Sequence, residues 1–413
     1  MNENPPSIVI GAGIVGLCTA LHLQETGRAV TLIDRLPPGE GTSLGNAGII
    51  STGSVHPEAM PGIWKEIPHM LLQRLAPISV RPAYMPRLLP WFIRFLASSS
   101  KPRADASSAA IHALASRALE YLQPLVDKAG AQNLLRQSGV IYVSETATQF
   151  AKAKLDCAYY ERRGVEYQLL DSAALAEQEP SLRPGLGGGV LIPSAAQTLS
   201  PLALSKRLFA LFVAQGGQFL QEEVTGFVSE GKQLTAVRTT GELPCREVFV
   251  TAGAYSGSLS KQLGSSVPLD TERGYHLHCP TPGIELVRPL LFGGRAFAAT
   301  SMQDGLRLAG TVEFAGVKAP ADYKRAQTLG EQARDLFPGL NIEQGNLWLG
   351  FRPSMPDTIP VISGSPHYAN AFFGFGHGHL GLTQAAVTGA LLAMLADGRQ
   401  APFDLSPYRV DRF

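Results

Sequence analysis

Ser7-Ile8-Val9-Ile10-Gly11-Ala12-Gly13-Ile14-Val15-Gly16 opens the chain's interpretable part, and its continuation to Asp34 decides the fold. An apolar run of strand length meets a GxGxxG turn. Ile14 to Thr26 then has the length and spacing of a helix closed by Gly27, and Ala29 to Ile33 reads as a second strand. The result is a βαβ unit of the dinucleotide-binding kind. Gly11 permits the tight turn, Gly13 lets backbone N–H groups approach a pyrophosphate, and Gly16 lets the helix sit close on the sheet. Ala12, Ile14 and Val15 complete the fingerprint. The helix N-terminus favours phosphate charge, and Asp34 stands where a ribose hydroxyl would be met, with Arg35 beside it. The motif by itself does not separate NAD from FAD, because both present an ADP half to the same turn.

The bulk numbers narrow the classes. A chain of 413 residues, 45% hydrophobic and 17% charged, has room for two domains and a sizeable core. Lys plus Arg (35) nearly cancels Asp plus Glu (34), so nucleic acid is not an expected partner. Cys18, Cys157, Cys245 and Cys279 are scattered without a CxxC pair, which argues against a zinc ribbon, a redox dithiol or a secreted disulfide framework. A cytoplasmic setting fits. Met1 to Pro6 carries no basic and apolar leader pattern, and no apolar run of the ~18–20 residues that span a bilayer is expected. In Leu88 to Leu96, Trp91, Phe92, Ile93 and Phe95 sit among Arg87, Arg94 and Lys101. Two readings stand: a helix lying at a membrane surface, or an apolar helix packed on the protein or lining a substrate entrance.

Farther along, proline punctuates 57–102, Ala104 to Gly130 is helical, Val140 to Val143 and Gly187 to Ile192 read as strands, and Thr146 to Arg163 reads as a helix. Pro201 opens another helix. Thr225 to Val228, Leu234 to Thr239 and Glu247 to Val250 shorten to strand-sized runs ending at Thr251-Ala252-Gly253. Val267 to Leu349 suggests strands with one helix, and Thr383 to Ala396 is a last helix stopped by Gly398. The expected class is α/β, with two interleaved domains.

Four further stretches carry a family signature. They are Gly39-Glu40-Gly41-Thr42-Ser43-Leu44-Gly45-Asn46-Ala47-Gly48-Ile49-Ile50; Thr251-Ala252-Gly253; Gly350-Phe351-Arg352-Pro353-Ser354-Met355-Pro356-Asp357; and Gly374-Phe375-Gly376-His377-Gly378-His379-Leu380-Gly381-Leu382-Thr383. With the fingerprint, they make nearly the whole chain resemble the D-amino-acid oxidase superfamily of FAD enzymes. Within it, the chain is similar to bacterial D-amino-acid dehydrogenases, including members acting on D-hydroxyproline.

The resemblance implies a glutathione-reductase-like Rossmann domain for FAD from 1–60, 200–265 and 346–413. It also implies an α+β substrate domain on a mostly antiparallel sheet from 61–199 and 266–345, helical over about 61–135. Besides the fingerprint, it assigns cofactor contact to Thr42, Ser43, Asn46, Ala47, Gly48 and Ile49, to Val224, and to Thr251, Ala252 and Gly253. In the last loop the contacts are Gly376, His377, Gly378, His379, Leu380, Gly381, Leu382 and Thr383.

The resemblance also assigns Arg352 to the substrate carboxylate, a role that suits the guanidinium's planar fork; the plain alternative is a structural ion pair. Glu272-Arg273-Gly274-Tyr275-His276 resembles the family's crossover strand, so Tyr275 is placed beside Arg352, with packing as its alternative and Arg273 or His276 as substitutes. His379 contacts flavin or substrate, or serves structure only, and His56 is a further candidate. His377 and His379 lack partners for a metal.

The implied reaction is oxidation of a D-amino or D-imino acid, of the D-proline or hydroxy-D-proline kind, to the imine. FAD is noncovalent, because no cysteine lies in a segment tied to the flavin. Electrons pass to a quinone or another redox protein, with peripheral association at the inner membrane face one arrangement for this. Rival readings are a glycine or sarcosine oxidase relative, a 2-hydroxy-acid enzyme, a flavin-binding subunit of a hetero-oligomer, and a non-enzymatic NAD-binding regulator.

Overall fold

The computed structural model describes residues 5–65 and 78–413. The chain begins with β1 (Ser7–Ile10), α1 (Ile14–Glu25) and β2 (Val30–Ile33). These strands enter a six-stranded sheet in the order 218–220, β2, β1, 247–250, 371–375, 361–364. All pairings are parallel except the last, which is antiparallel. Every residue of β1, β2 and Glu247–Val250 is buried, as a parallel sheet covered on both faces requires. One face packs on α1, on the Pro201–Ala214 helix and on the last long helix, α2 (Gly381–Ala396). The other face is covered by a three-stranded antiparallel meander that brings Leu234 and Val237 against Ile8, Ile10 and Val248.

A nine-stranded, mostly antiparallel sheet makes the second half. Its working strands are β3 (Asp270–Cys279), β4 (Gly305–Phe314) and β5 (Asn346–Ser354), with β3 between the other two. The Lys324–Leu336 helix buries Leu329 and Leu336 with Leu277 and Leu308. The architecture is therefore the expected α/β combination. Asn346–Ser354, expected with the dinucleotide half, pairs along its length with β3, and the six-stranded sheet is rejoined at Val361–Gly364. The single helices expected over 104–130 and 146–163 are each two, broken at Ser116–Arg117 and at Cys157.

Two apolar helices bear on the membrane question. The Met85–Ser98 helix buries Leu88 and Trp91 against Phe314 and leaves Leu89 and Ile93 exposed, so the stripe is packed on one side only. Contrary to the sequence expectation, one uncharged segment among the described residues, Gly378–Ala396, is long and apolar enough to cross a bilayer. It is largely buried because it forms the core of the first half, against α1.

Close approach of α1 and α2 depends on Gly389, where a Cβ would lie 2.7 Å from the Cys18 carbonyl carbon and the Thr19 nitrogen. Backbone cannot yield as a flexible side chain does. Gly389→Val is expected to destabilise the fold by about 1–3 kcal/mol through overpacking, read from denaturant midpoints. An unshifted midpoint would mean the two helices have room to part.

Candidate functional site

A cavity of ≈ 890 Å³ runs between the two sheets, within the size range of small-molecule and cofactor sites. Its first wall is the end of the βαβ unit. Gly11, at φ +108°, lies so near Thr251 that a Cβ would come within 2.5 Å of the Thr251 carbonyl oxygen, and a Cβ on Gly16 would overlap the Gly11 carbonyl oxygen. These absences seat the start of α1 at the cavity. The α1 N-cap, Gly13, supplies no side-chain bond and the first turn holds no acid, so its backbone N–H groups and dipole favour an anion. Ser43 Oγ accepts the Ile14 N–H at 3.0 Å.

Asp34 ends β2 at the cavity, its two oxygens accepting the Ala12 and Leu36 N–H groups at 2.7 and 2.9 Å. Arg35 stacks over the Tyr255 ring at 3.9 Å, and Val224 and Ala252–Gly253 close this end. Gly11, Gly13, Ile14 and Val15 line the cavity. Ala12 and Gly16 stand behind the lining, because their work is turn geometry and helix packing.

The second loop is held from several sides. Thr42 Oγ1 donates to the Phe351 carbonyl (3.1 Å) and accepts the Phe351 N–H (3.2 Å), tying the loop to β5. Arg307, buried on β4, donates to the Leu44 and Asn46 carbonyls at 2.9 and 2.7 Å. Burial pushes its pKa down to about 10. His276 Nδ1 meets the Gly45 carbonyl oxygen at 3.2 Å while its ring stacks on Trp348 at 4.9 Å. Its buried imidazole is pushed down to about 3 and is therefore neutral at ordinary pH. Ser43, Asn46, Ala47 and Ile49 line the cavity. Gly48 does not; its N–H is taken by Asn46 Oδ1 in a local turn (2.8 Å).

The last glycine loop forms the facing wall. Gly378 to Thr383 line the cavity where α2 begins, again without an acid in the first turn, and Thr383 Oγ1 accepts the Ser51 N–H at 3.1 Å. Gly376, at φ +87°, only turns the chain. His377 is buried, bonded to Thr388 Oγ1 at 3.0 Å, and held neutral by burial, its pKa about 3. His56 anchors to the Asp156 carbonyl oxygen (3.3 Å) and packs on Tyr159 and Tyr160. Among the described residues no cluster could hold a metal ion.

Arg352 has a built seat. A bulge shifts the pairing of β3 with β4 between Arg273 and Tyr275, and Thr311 takes φ +57° there. The freed carbonyls of Thr311 and Gly310 accept from Nη1 and Nη2 of Arg352 at 2.8 and 3.4 Å. The guanidinium lies over Gly274, where any Cβ would overlap it. Burial lowers the arginine's pKa, opposed by the charges of Glu272 and Glu58.

Tyr275 is not brought to Arg352. Successive residues of a strand face opposite sides, so Glu272 and Gly274 share the Arg352 side while Arg273 and Tyr275 face away. The Tyr275 hydroxyl donates to Glu313 Oε2 (2.7 Å) and accepts the Asp322 N–H (3.1 Å); Arg273 pairs with the same carboxylate at 3.2 Å. Tyr275 still lines the cavity, with its hydroxyl engaged by Glu313 and the Asp322 N–H, whereas Arg273 does not line it.

His379 does lie at the cavity, its Nδ1 2.7 Å from Glu58 Oε1. Glu58 and Glu272, both lining the cavity, went unassigned in the sequence reading. Glu272 had a signal, its place at the head of the Glu272-Arg273-Gly274-Tyr275-His276 stretch; in the structure every residue from Thr271 to Cys279 is buried. Glu58, in a proline-rich loop, had none.

The residues fit FAD: two helix starts whose N-cap residues make no side-chain bond, glycine backbones that bar a Cβ, and one cavity that both helix starts line. The comparisons agree. A family model described as DAO, FAD dependent oxidoreductase, matches residues 7–395. The chain is 35% identical to a D-amino-acid oxidase of Bradyrhizobium diazoefficiens, covering 100% of both chains. It is 33% identical to a D-amino acid dehydrogenase of Vibrio cholerae, covering 98% of each. In fold it resembles glycine oxidase from Geobacillus kaustophilus, with a TM-score of 0.74, 20% identity and 99% of both chains covered.

The seat of Arg352 predicts the effect of Gly274→Ala. A methyl there forces the guanidinium off its two carbonyls, so acetate, titrated through its effect on the bound flavin's visible band, is expected to bind about tenfold more weakly, ~1.4 kcal/mol. Unaltered acetate binding would mean that the seat does not position the guanidinium for carboxylates.

Proposed function

The chain belongs to the family of FAD dependent oxidoreductases, and from that premise we propose that it oxidises a D-amino or D-imino acid at the alpha carbon to the imine. Bound FAD supplies the two-electron acceptor for the departing hydride. The observation that carries the proposal is the seated Arg352, a cation aimed into a cavity whose other parts suit a dinucleotide. A guanidinium held by two carbonyls and a glycine meets a carboxylate in one orientation, and orientation is what hydride transfer needs from a protein. The names of the full-length relatives support a D-amino acid as substrate.

A D-proline or hydroxy-D-proline substrate follows the family resemblance alone. Noncovalent FAD is supported by the four cysteines, all buried and none among the residues lining the cavity. A quinone or a redox protein as electron acceptor would suit the half-packed helix, whose exposed Leu89 and Ile93 stand near Arg87 and Arg94, a composition suited to the cytoplasmic face of a membrane. The dinucleotide half and the substrate half correspond, in this proposal, to the six- and nine-stranded sheets.

Anaerobic mixing of the holoenzyme with D- and L-amino acids, cyclic imino acids and 2-hydroxy acids tests the proposal, read as bleaching of the flavin band. Bleaching by D-amino or D-imino acids is expected, and bleaching by 2-hydroxy acids alone would overturn it. Arg352→Ala is expected to raise the half-saturating concentration by roughly two to three powers of ten, since removing one member of a buried charged pair costs about 3–5 kcal/mol.

A further inference from the structure

Two carboxyl groups share the Arg352 side of the cavity. Glu272 stands opposite Arg352 in the β3–β5 register and is buried, with the Ser354 hydroxyl donating to its Oε1 at 2.6 Å. Glu58, from the loop after Ile49–Ile50, lines the same cavity, where its carboxyl group and that of Glu272 interact. Its backbone N–H is held by Thr358 Oγ1 (3.2 Å) and its Oε1 meets His379 Nδ1 at 2.7 Å. The His379 side chain is about half exposed, 48%. Thus a continuous line of acid–base groups runs from the buried end of the pocket to solvent.

Carboxylates in contact do not both ionise readily. Burial and the neighbouring Glu58 charge hold Glu272 well above the usual carboxylate range. Against its own burial, the His379 bond and the Arg352 charge hold Glu58 below that range. Arg352 is the cation that faces the pair, and His379 is the titratable group bonded to Glu58. The resting pair therefore carries one proton and one negative charge, which balances Arg352.

An amino acid enters as a zwitterion, yet its nitrogen must be neutral before its lone pair can form the C=N bond. We propose that the Glu58–Glu272 pair accepts the substrate's ammonium proton and that His379 carries it to water. This rests on the amino-acid reading above. The N–H bond breaks with its electron pair left on nitrogen, and an O–H bond forms on Glu58. Glu58 then returns to the anion as its proton moves to the bare Nδ1 of the Nε2-protonated His379 imidazole, whose Nε2 proton goes to solvent, and exchange with water restores that tautomer for the next turnover. One proton leaves by this route and one hydride leaves the alpha carbon, which accounts for the two hydrogens lost. The same pattern, cation at Arg352 and anion at the pair, reads the zwitterion as a dipole.

The test is anaerobic bleaching of the holoenzyme by saturating D-alanine and D-proline, alongside the wider D-amino-acid panel, as a function of pH. Wild type is expected to keep a level rate below the substrate amine's own pKa. Glu58→Gln is expected to lose about tenfold for each pH unit below that point and to recover above it. His379→Ala is expected to be slowed and then restored by added imidazole. Without turnover, carbon-13 NMR of glutamate-labelled resting holoenzyme is expected to show a protonated glutamate at about pH 8 that Glu272→Gln removes.

A Glu58→Gln profile parallel to wild type, loss without imidazole rescue in His379→Ala, or no such protonated signal would overturn the relay. Failure of wild type to bleach with any D-amino acid would instead sink the amino-acid reading itself.

Discussion

Where the Gly16 side chain would be, the Gly11 carbonyl oxygen sits, and α1 can lie on β1 and the Thr251 turn only because nothing else occupies that space. Much follows from this contact. It aims the first turn of α1 at the end of the parallel sheet, where the helix's N-terminal end meets the cavity. It also sets the depth at which α2 must pack, and Gly389 repeats the device one layer out. Both helices then begin at the same cavity, so two sets of backbone donors from distant parts of the chain converge on one elongated space.

The opposite wall obeys a different constraint. An arginine in a low-dielectric pocket is stable only with its N–H groups satisfied and its charge answered. The bulge in β4 supplies carbonyls, Gly274 supplies room, and the Glu58–Glu272 pair supplies charge. Thr42 joins this wall to the cofactor loop through both backbone groups of Phe351, next to Arg352. Movement of the loop is thereby coupled to the backbone next to Arg352. Arg307 and the His276–Trp348 stack hold the other end of the loop, so the loop's conformation is set by the nine-stranded sheet.

Sequence and structure agree best where the determinant is local. The βαβ unit follows from periodicity and from glycines that serve their nearest neighbours, and the last helix follows from an unbroken apolar run. Arg352 stood out because a family motif surrounds it. Tyr275 did not follow its motif's promise, since strand alternation turned its hydroxyl toward Glu313. The Glu58–His379 contact joins residues far apart in the chain, and no spacing rule reaches that far.

The amino-acid sequence by itself determined that this protein builds a dinucleotide turn on a parallel sheet, because strand length, helix period and glycine positions act within a few residues of one another. Tertiary structure alone decided which side chains meet in the pocket. Which face of β3 carries Glu272, where β4 bulges, and that Glu58 comes to rest beside His379 are outcomes of packing two sheets against each other, and charge and burial at a point in space depend on every segment that arrives there.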